Sequence, residues 1–198
     1  MFLCPIHRVF LRWVGRKLST GRLCSYPSEA PMSTAQILLE NFDIEVPITR
    51  RLLERIPANP DYKPHEKSMP LGRLAAHVAT LPALGTLILT TPECNAATAK
   101  FPDPNFVSTE KLLADFDTYS AETRTALANS SDADLAHQWK FSAGGHVFSN
   151  NSRSCTFQHM FFGHLSHHRA QLGVYLRLLN LPVPGLYGPS ADEKPAGS

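Results

Sequence analysis

Nine histidines occur in this chain, and three of them are spaced to act together. His164 and His168 lie one helical turn apart. Taking His164 as zero at about 100° per residue, Phe157, Met160, Phe161, His168, Gln171, Leu172, Tyr175, Leu178 and Leu179 fall within about 80° of it. Ser166, Arg169, Gly173, Arg177 and Asn180 occupy the opposite, polar face. His77 shares a second stripe with Leu74, Leu81, Leu84 and Ile88. Two helices therefore point imidazoles into one apolar interior. A lone histidine on an apolar face reads first as a hydrogen-bonded core residue. An i,i+4 pair reads differently, because both rings can reach one cation. Unpartnered, each buried ring would cost about 1–3 kcal/mol, and a shared divalent ion offsets that. Three inward histidines with no acid on the same stripes leave a coordination position open, as catalytic zinc sites do.

The remaining histidines read more plainly. His167 sits at the stripe edge, facing a groove or solvent, and His159 points outward. His146 falls in a hairpin from which it could reach the bundle mouth, though a solvated loop is the simpler reading. His7, His65 and His137 are read as surface residues. Cys155 opens the last helix, where the dipole could lower a thiol pKa; a buried structural cysteine is preferred. No catalytic residue is identified.

Four helical segments position these groups. The first covers about 33–56: Ser33-Thr34-Ala35-Gln36 fits a capping box, and Leu38, Phe42, Val46, Thr49, Leu53 and Ile56 form its stripe. Pro47 should kink or split it. The second covers about 70–90, with Pro82 expected to break or bend it. The third covers about 108–129, capped by Ser108 or Thr109, with Leu112, Phe116, Tyr119, Thr123 and Leu127 on one face. The fourth covers about 154–180, stopped by Pro182 and Pro184. Between the last two, 132–136 fits a short helical turn. Gln138–Phe141 and His146–Phe148 flank Ala143-Gly144-Gly145 as a weak hairpin. The fold class expected is all-α: a four-helix bundle with a short irregular or hairpin insertion before the last helix.

The formal charge of +2 comes from 19 Lys+Arg and 17 Asp+Glu. Residues 1–31 hold Arg8, Arg12, Arg16, Lys17 and Arg22 against Glu29 alone. That leaves 14 basic and 16 acidic residues in 32–198, a net −2. Such a body lacks the basic surplus of a nucleic-acid binder. The leader's composition fits an organelle transit peptide. It also fits a misassigned start, the preferred reading, because Met32-Ser33-Thr34 resembles a true beginning. Residues 1–31 are thus expected to be disordered or non-native, 32–193 to form the bundle, and 194–198 to be a disordered tail. The stretch from Leu74 to Thr91 carries no Lys, Arg, Asp or Glu and is just about long enough for a membrane span; His77, Pro82 and its threonines favour a buried core helix. Cys4, Cys24, Cys94 and Cys155 show no CxxC spacing and read as reduced thiols of a cytoplasmic protein. A Gly-rich phosphate loop, a GxSxG elbow and a di-iron pattern are all lacking.

Leu74-Ala75-Ala76-His77-Val78, together with His164-Leu165-Ser166-His167-His168-Arg169-Ala170-Gln171-Leu172, resembles the DinB-like (damage-inducible) family of metal-binding bundles. Leu176-Arg177-Leu178-Leu179, Pro182-Val183-Pro184 and Tyr187–Glu193 extend the resemblance over about 33–193. It implies an up-down-down-up bundle holding one divalent ion on His77, His164 and His168; zinc and nickel both suit such imidazole ligands. It also implies a homodimer. Some such relatives are metal-dependent transferases acting through a low-molecular-weight thiol such as bacillithiol or mycothiol; others have no assigned reaction.

Two function classes follow. One is an enzyme that activates a thiol for S-transfer, or a water for hydrolysis, toward a small-molecule substrate. The other is a non-catalytic metal-binding or stress-associated bundle. The second expects a closed site with no cavity beside the ion.

Overall fold

The structure, a computed structural model, describes residues 31–58 and 60–193. The expectations for residues 1–30 and 194–198 lie outside these. Helix α1 runs Thr34–Leu53, α2 Leu71–Thr90, α3 Thr109–Ala128 and the short α4 Asp132–Ala136. The last long helix has three consecutive parts: α5 Arg153–Thr156, a π-helical segment Phe157–Gly163, and α6 His164–Leu178. Phe157 and His164 both keep right-handed helical dihedrals, so the chain passes through these junctions without a break.

Local chemistry explains the helix ends. Ser33 and Gln36 form the expected capping box of α1, and the Ser108 hydroxyl accepts from the Lys111 amide to start α3. At the far end of α6, Asn180 takes φ 56°. The Leu181 amide then reaches the Leu176 carbonyl at 2.9 Å and the Asn180 amide reaches Arg177 at 3.0 Å. This double closure uses up orphan carbonyls before Pro182.

Pro47 does not split α1, and Pro82 does not break α2. Pro47 is exposed, so the carbonyl it leaves without an amide partner lies on the watered face. Pro82 is buried, and its own carbonyl accepts the Thr123 hydroxyl of α3 at 2.5 Å. Gly85 makes that crossing close: a Cβ there would meet Thr123 Cγ2 at 2.8 Å and Phe157 Cε2 at 3.2 Å.

The chain is mostly helical, as expected, and the expected hairpin is present, but it belongs to a three-stranded sheet of β1 (Glu93–Asn95), β2 (Gln138–Ala143) and β3 (His146–Ser152), in the order β1-β2-β3, which an all-α reading lacks. The hairpin β2–β3 turns at Gly144 and Gly145, both at positive φ, as a two-residue hairpin loop requires. Strand β1, just after α2, pairs in parallel with β2. Its three residues are too short for a periodic signal. The sheet is anchored by Trp139, fully buried, whose indole N–H donates to Thr91.

The core lies between the helices, around Leu38, Phe42, Leu74, Ile88, Phe116 and Phe161. α2 is long and apolar enough to cross a membrane, yet most of its apolar residues are buried in this core.

Candidate metal centre

Helix α2 supplies His77 and α6 supplies His164 and His168. Their donor nitrogens all lie within 4.8 Å of one another. His77 Nε2 and His164 Nε2 are 3.3 Å apart, and the three rings stand 4.6–5.1 Å centroid to centroid. His168 is buried, while His77 and His164 are half-buried.

The π-helical segment matters to this convergence. Its wider i→i+5 turn ends at Gly163, immediately before His164. It therefore sets the phase at which α6 begins, and π turns often occur at functional sites.

Burial is the first cause of depressed basicity in all three rings. His77 is lowered from 6.5 to about 4, with added repulsion from His168, His164 and Arg73. His164 is lowered by burial and then by His168. His168 is lowered by burial and by His167, against an opposing hydrogen bond with Gln171. At neutral pH the site thus presents neutral imidazoles, the form that binds metals.

These residues fit a divalent ion. A tetrahedral ion with Zn–N bonds of about 2.0–2.1 Å holds two nitrogen donors about 3.3–3.4 Å apart, matching the His77–His164 separation. His168 Nδ1 lies 2.8 Å from Gln171 Oε1. A ring N–H donating there leaves the Nε2 lone pair free and fixes the ring's orientation, as partners of metal-bound histidines do. The group comprises three imidazoles and no acid or thiol among the described residues.

A cavity of about 300 Å³ opens beside the group, lined by His77 and His164 together with Leu81, Leu84, Phe101, Phe141 and Met160 among others. α2 and the π segment form one wall, the loop after β1 and the strand β2 the other.

Sequence reading located the three histidines and missed what surrounds them. Gln171 lies on the expected stripe, and its hydrogen bond to His168 emerges only from the folded structure. Phe101 and Phe141 come from a loop and a strand with no helical period. Arg169 is corrected: it was assigned to the solvent face but is 1% exposed. Its guanidinium pairs with Glu45 at 2.6 Å, donates to Thr49 at 2.9 Å, and donates to the Tyr187 hydroxyl. Cys155 is likewise corrected, being exposed rather than buried. His65, His137, His159 and His167 are exposed as expected. His146 is exposed and packs on Phe148 rather than lining the cavity.

Fold and site together define a mostly helical protein with a candidate three-histidine metal centre. Comparison with known proteins gives the family: the chain belongs to the DinB family, whose sequence model matches residues 32–196. No curated protein matches it. Among solved structures it is similar to a DinB-like protein from Bacillus cereus ATCC 10987, at 22% identity and TM-score 0.55, covering 75% of this chain and 95% of that one. It is also similar to a DinB-like protein from Bacillus subtilis, at 20% identity and TM-score 0.61, covering 78% and 99%. At those identities the likeness concerns the fold.

Proposed function

We propose that this protein is a metal-dependent enzyme that activates a thiol or a water at His77, His164 and His168. The observation that carries this is the cavity next to the three imidazoles. A non-catalytic bundle would have no need of that space. A bound zinc or nickel ion lowers the pKa of a coordinated thiol or water and so supplies a nucleophile near neutral pH.

The chain's own residues do the rest. His77 and His164 hold their donor nitrogens at the cavity wall. His168 is aimed by Gln171. Leu81, Leu84, Phe101 and Phe141 exclude water from the space where a substrate would sit. In this reading the long helices form an up-down-down-up four-helix bundle over 32–193, with one ion per chain. The thiol would be a low-molecular-weight one, giving S-transfer, and water would give hydrolysis. A homodimer in the cytoplasm, with no nucleic-acid or membrane partner, completes the proposal.

The test is elemental analysis of protein purified without a metal-affinity step. About one zinc or nickel per chain is expected, and loss of that metal in His168→Ala. Protein that neither retains nor takes up a divalent ion at neutral pH would sink the reading.

A further inference from the structure

The cavity at the histidines contains no Lys, Arg, Asp or Glu among its lining residues. Its one hydroxyl, Thr80, already bonds to the Ala76 and His77 carbonyls, at 3.0 and 3.2 Å. Apart from the two imidazoles, its surface is therefore apolar. Phe101, 43% exposed, stands at its rim.

Phe141 and Met160 also line a second cavity, of about 510 Å³. Phe148 borders that space, 60% exposed and 5.8 Å from the Phe141 ring. The remaining walls, from β3 and the last helix, are Ser149, Asn151, Cys155, Thr156 and His159, again without a Lys, Arg, Asp or Glu. Two cavities with Phe141 and Met160 common to their linings, neither offering a charged Lys, Arg, Asp or Glu side chain, are matched to one kind of occupant. Away from the proposed ion, a charged group would lose its hydration there without gaining a counter-charge from the lining side chains, whereas apolar surface gains by leaving water.

We infer that the compound on which this site acts is elongated, with its reacting head at His77 and His164 and an uncharged, apolar tail lying along Phe141 and Met160 toward Phe148. The head-group assignment rests on the metal-centre reading; the polarity and length of the occupant rest on the two cavities.

The test follows displacement of the neutral dye Nile red by matched ligands, first from metal-free protein. Decanol should bind about tenfold or more tightly than hexanol, since it reaches the second cavity with added apolar surface. Decanoate and decylamine should bind about tenfold or more weakly than decanol, because each carries a charge into an uncharged lining. Phe148→Ser, an exposed position, should weaken decanol about threefold and leave hexanol unchanged. Phe101→Asp, also exposed, should weaken both alcohols.

Zinc loading should then tighten decanohydroxamic acid about tenfold, through its metal-binding head, and leave decanol unchanged. Equal binding of decanol and its charged analogues, or of decanol and hexanol, would overturn the inference. So would a hydroxamate indifferent to zinc in protein that holds zinc. Elemental analysis of the same samples keeps the two readings apart. Protein without zinc that still prefers decanol counts against the metal centre alone. Protein that holds zinc but, once stripped of it, binds the charged analogues as tightly as decanol counts against the apolar substrate alone.

Discussion

Two imidazole nitrogens 3.3 Å apart in partly desolvated surroundings must share either a proton or an ion. Burial disfavours the charged ring, so His77 titrates near 4 rather than 6.5. The folded metal-free protein then binds fewer protons than the unfolded chain between those values. Its stability is fully present above about 6.5 and is lost as pH falls toward about 4, following the linkage of proton uptake to unfolding. Melting of metal-free protein across this window should show a falling Tm, and the slope should shrink in His77→Gln. Gln171 acts on the same residues. Gln171→Leu removes the acceptor at 2.8 Å from His168 and should weaken zinc affinity about 10–100-fold, read by competition with a chelating dye. An unchanged affinity would mean that packing alone orients the ring.

At the scale of elements, the site depends on how closely α2 meets its neighbours. Gly85 lets α2 approach α3 and the π segment, and Thr123 ties α3 to the Pro82 carbonyl. Gly85→Ala places a methyl group against Thr123 and Phe157 and should cost about 1–3 kcal/mol by overpacking, measured by urea denaturation. The same shift would move His77 relative to His164, so zinc affinity should fall with stability. The hairpin β2–β3 contributes Phe141 to the cavity from outside the helices. Its alternation is weak and its register is irregular between Phe141 and Ser142, so a turn at Gly144-Gly145 is legible from neighbouring residues but the pairing with β1 is not.

For the molecule as a whole, a long-range tie joins α6 and the C-terminal segment to α1. Arg169 of α6 pairs with Glu45 of α1, and Tyr187 of the C-terminal segment hydrogen-bonds both partners. Removing one member of such a buried pair leaves an uncompensated charge. Arg169→Met should therefore cost about 3 kcal/mol, whereas Tyr187→Phe, at a largely exposed ring, should cost less than about 1 kcal/mol. A midpoint shift in urea of the same size for both variants would contradict the buried ion pair. A divalent ion held as proposed by His77, His164 and His168 would add a second tie, joining α2 to α6. Zinc at about a hundredfold over its Kd should stabilise the fold by about 3 kcal/mol. The gain should appear as a raised Tm that a chelator reverses and that His164→Ala lacks.

Sequence alone determined the helices and the inward phase of His77, His164 and His168, because a 3.6-residue period and capping chemistry are local properties. Ser33 with Gln36, Ser108, and the prolines after α1, α2 and α6 could all be read from neighbouring residues. The placement of Arg169 could not. Periodicity assigns a charged residue on the polar face to solvent, and only a carboxylate 124 positions earlier makes its burial favourable. The cavity was equally hidden, since Phe101 from a loop and Phe141 from a strand meet Met160 and His164 only through tertiary packing. Local patterns therefore aimed the three imidazoles inward, and long-range contacts decided what space they face.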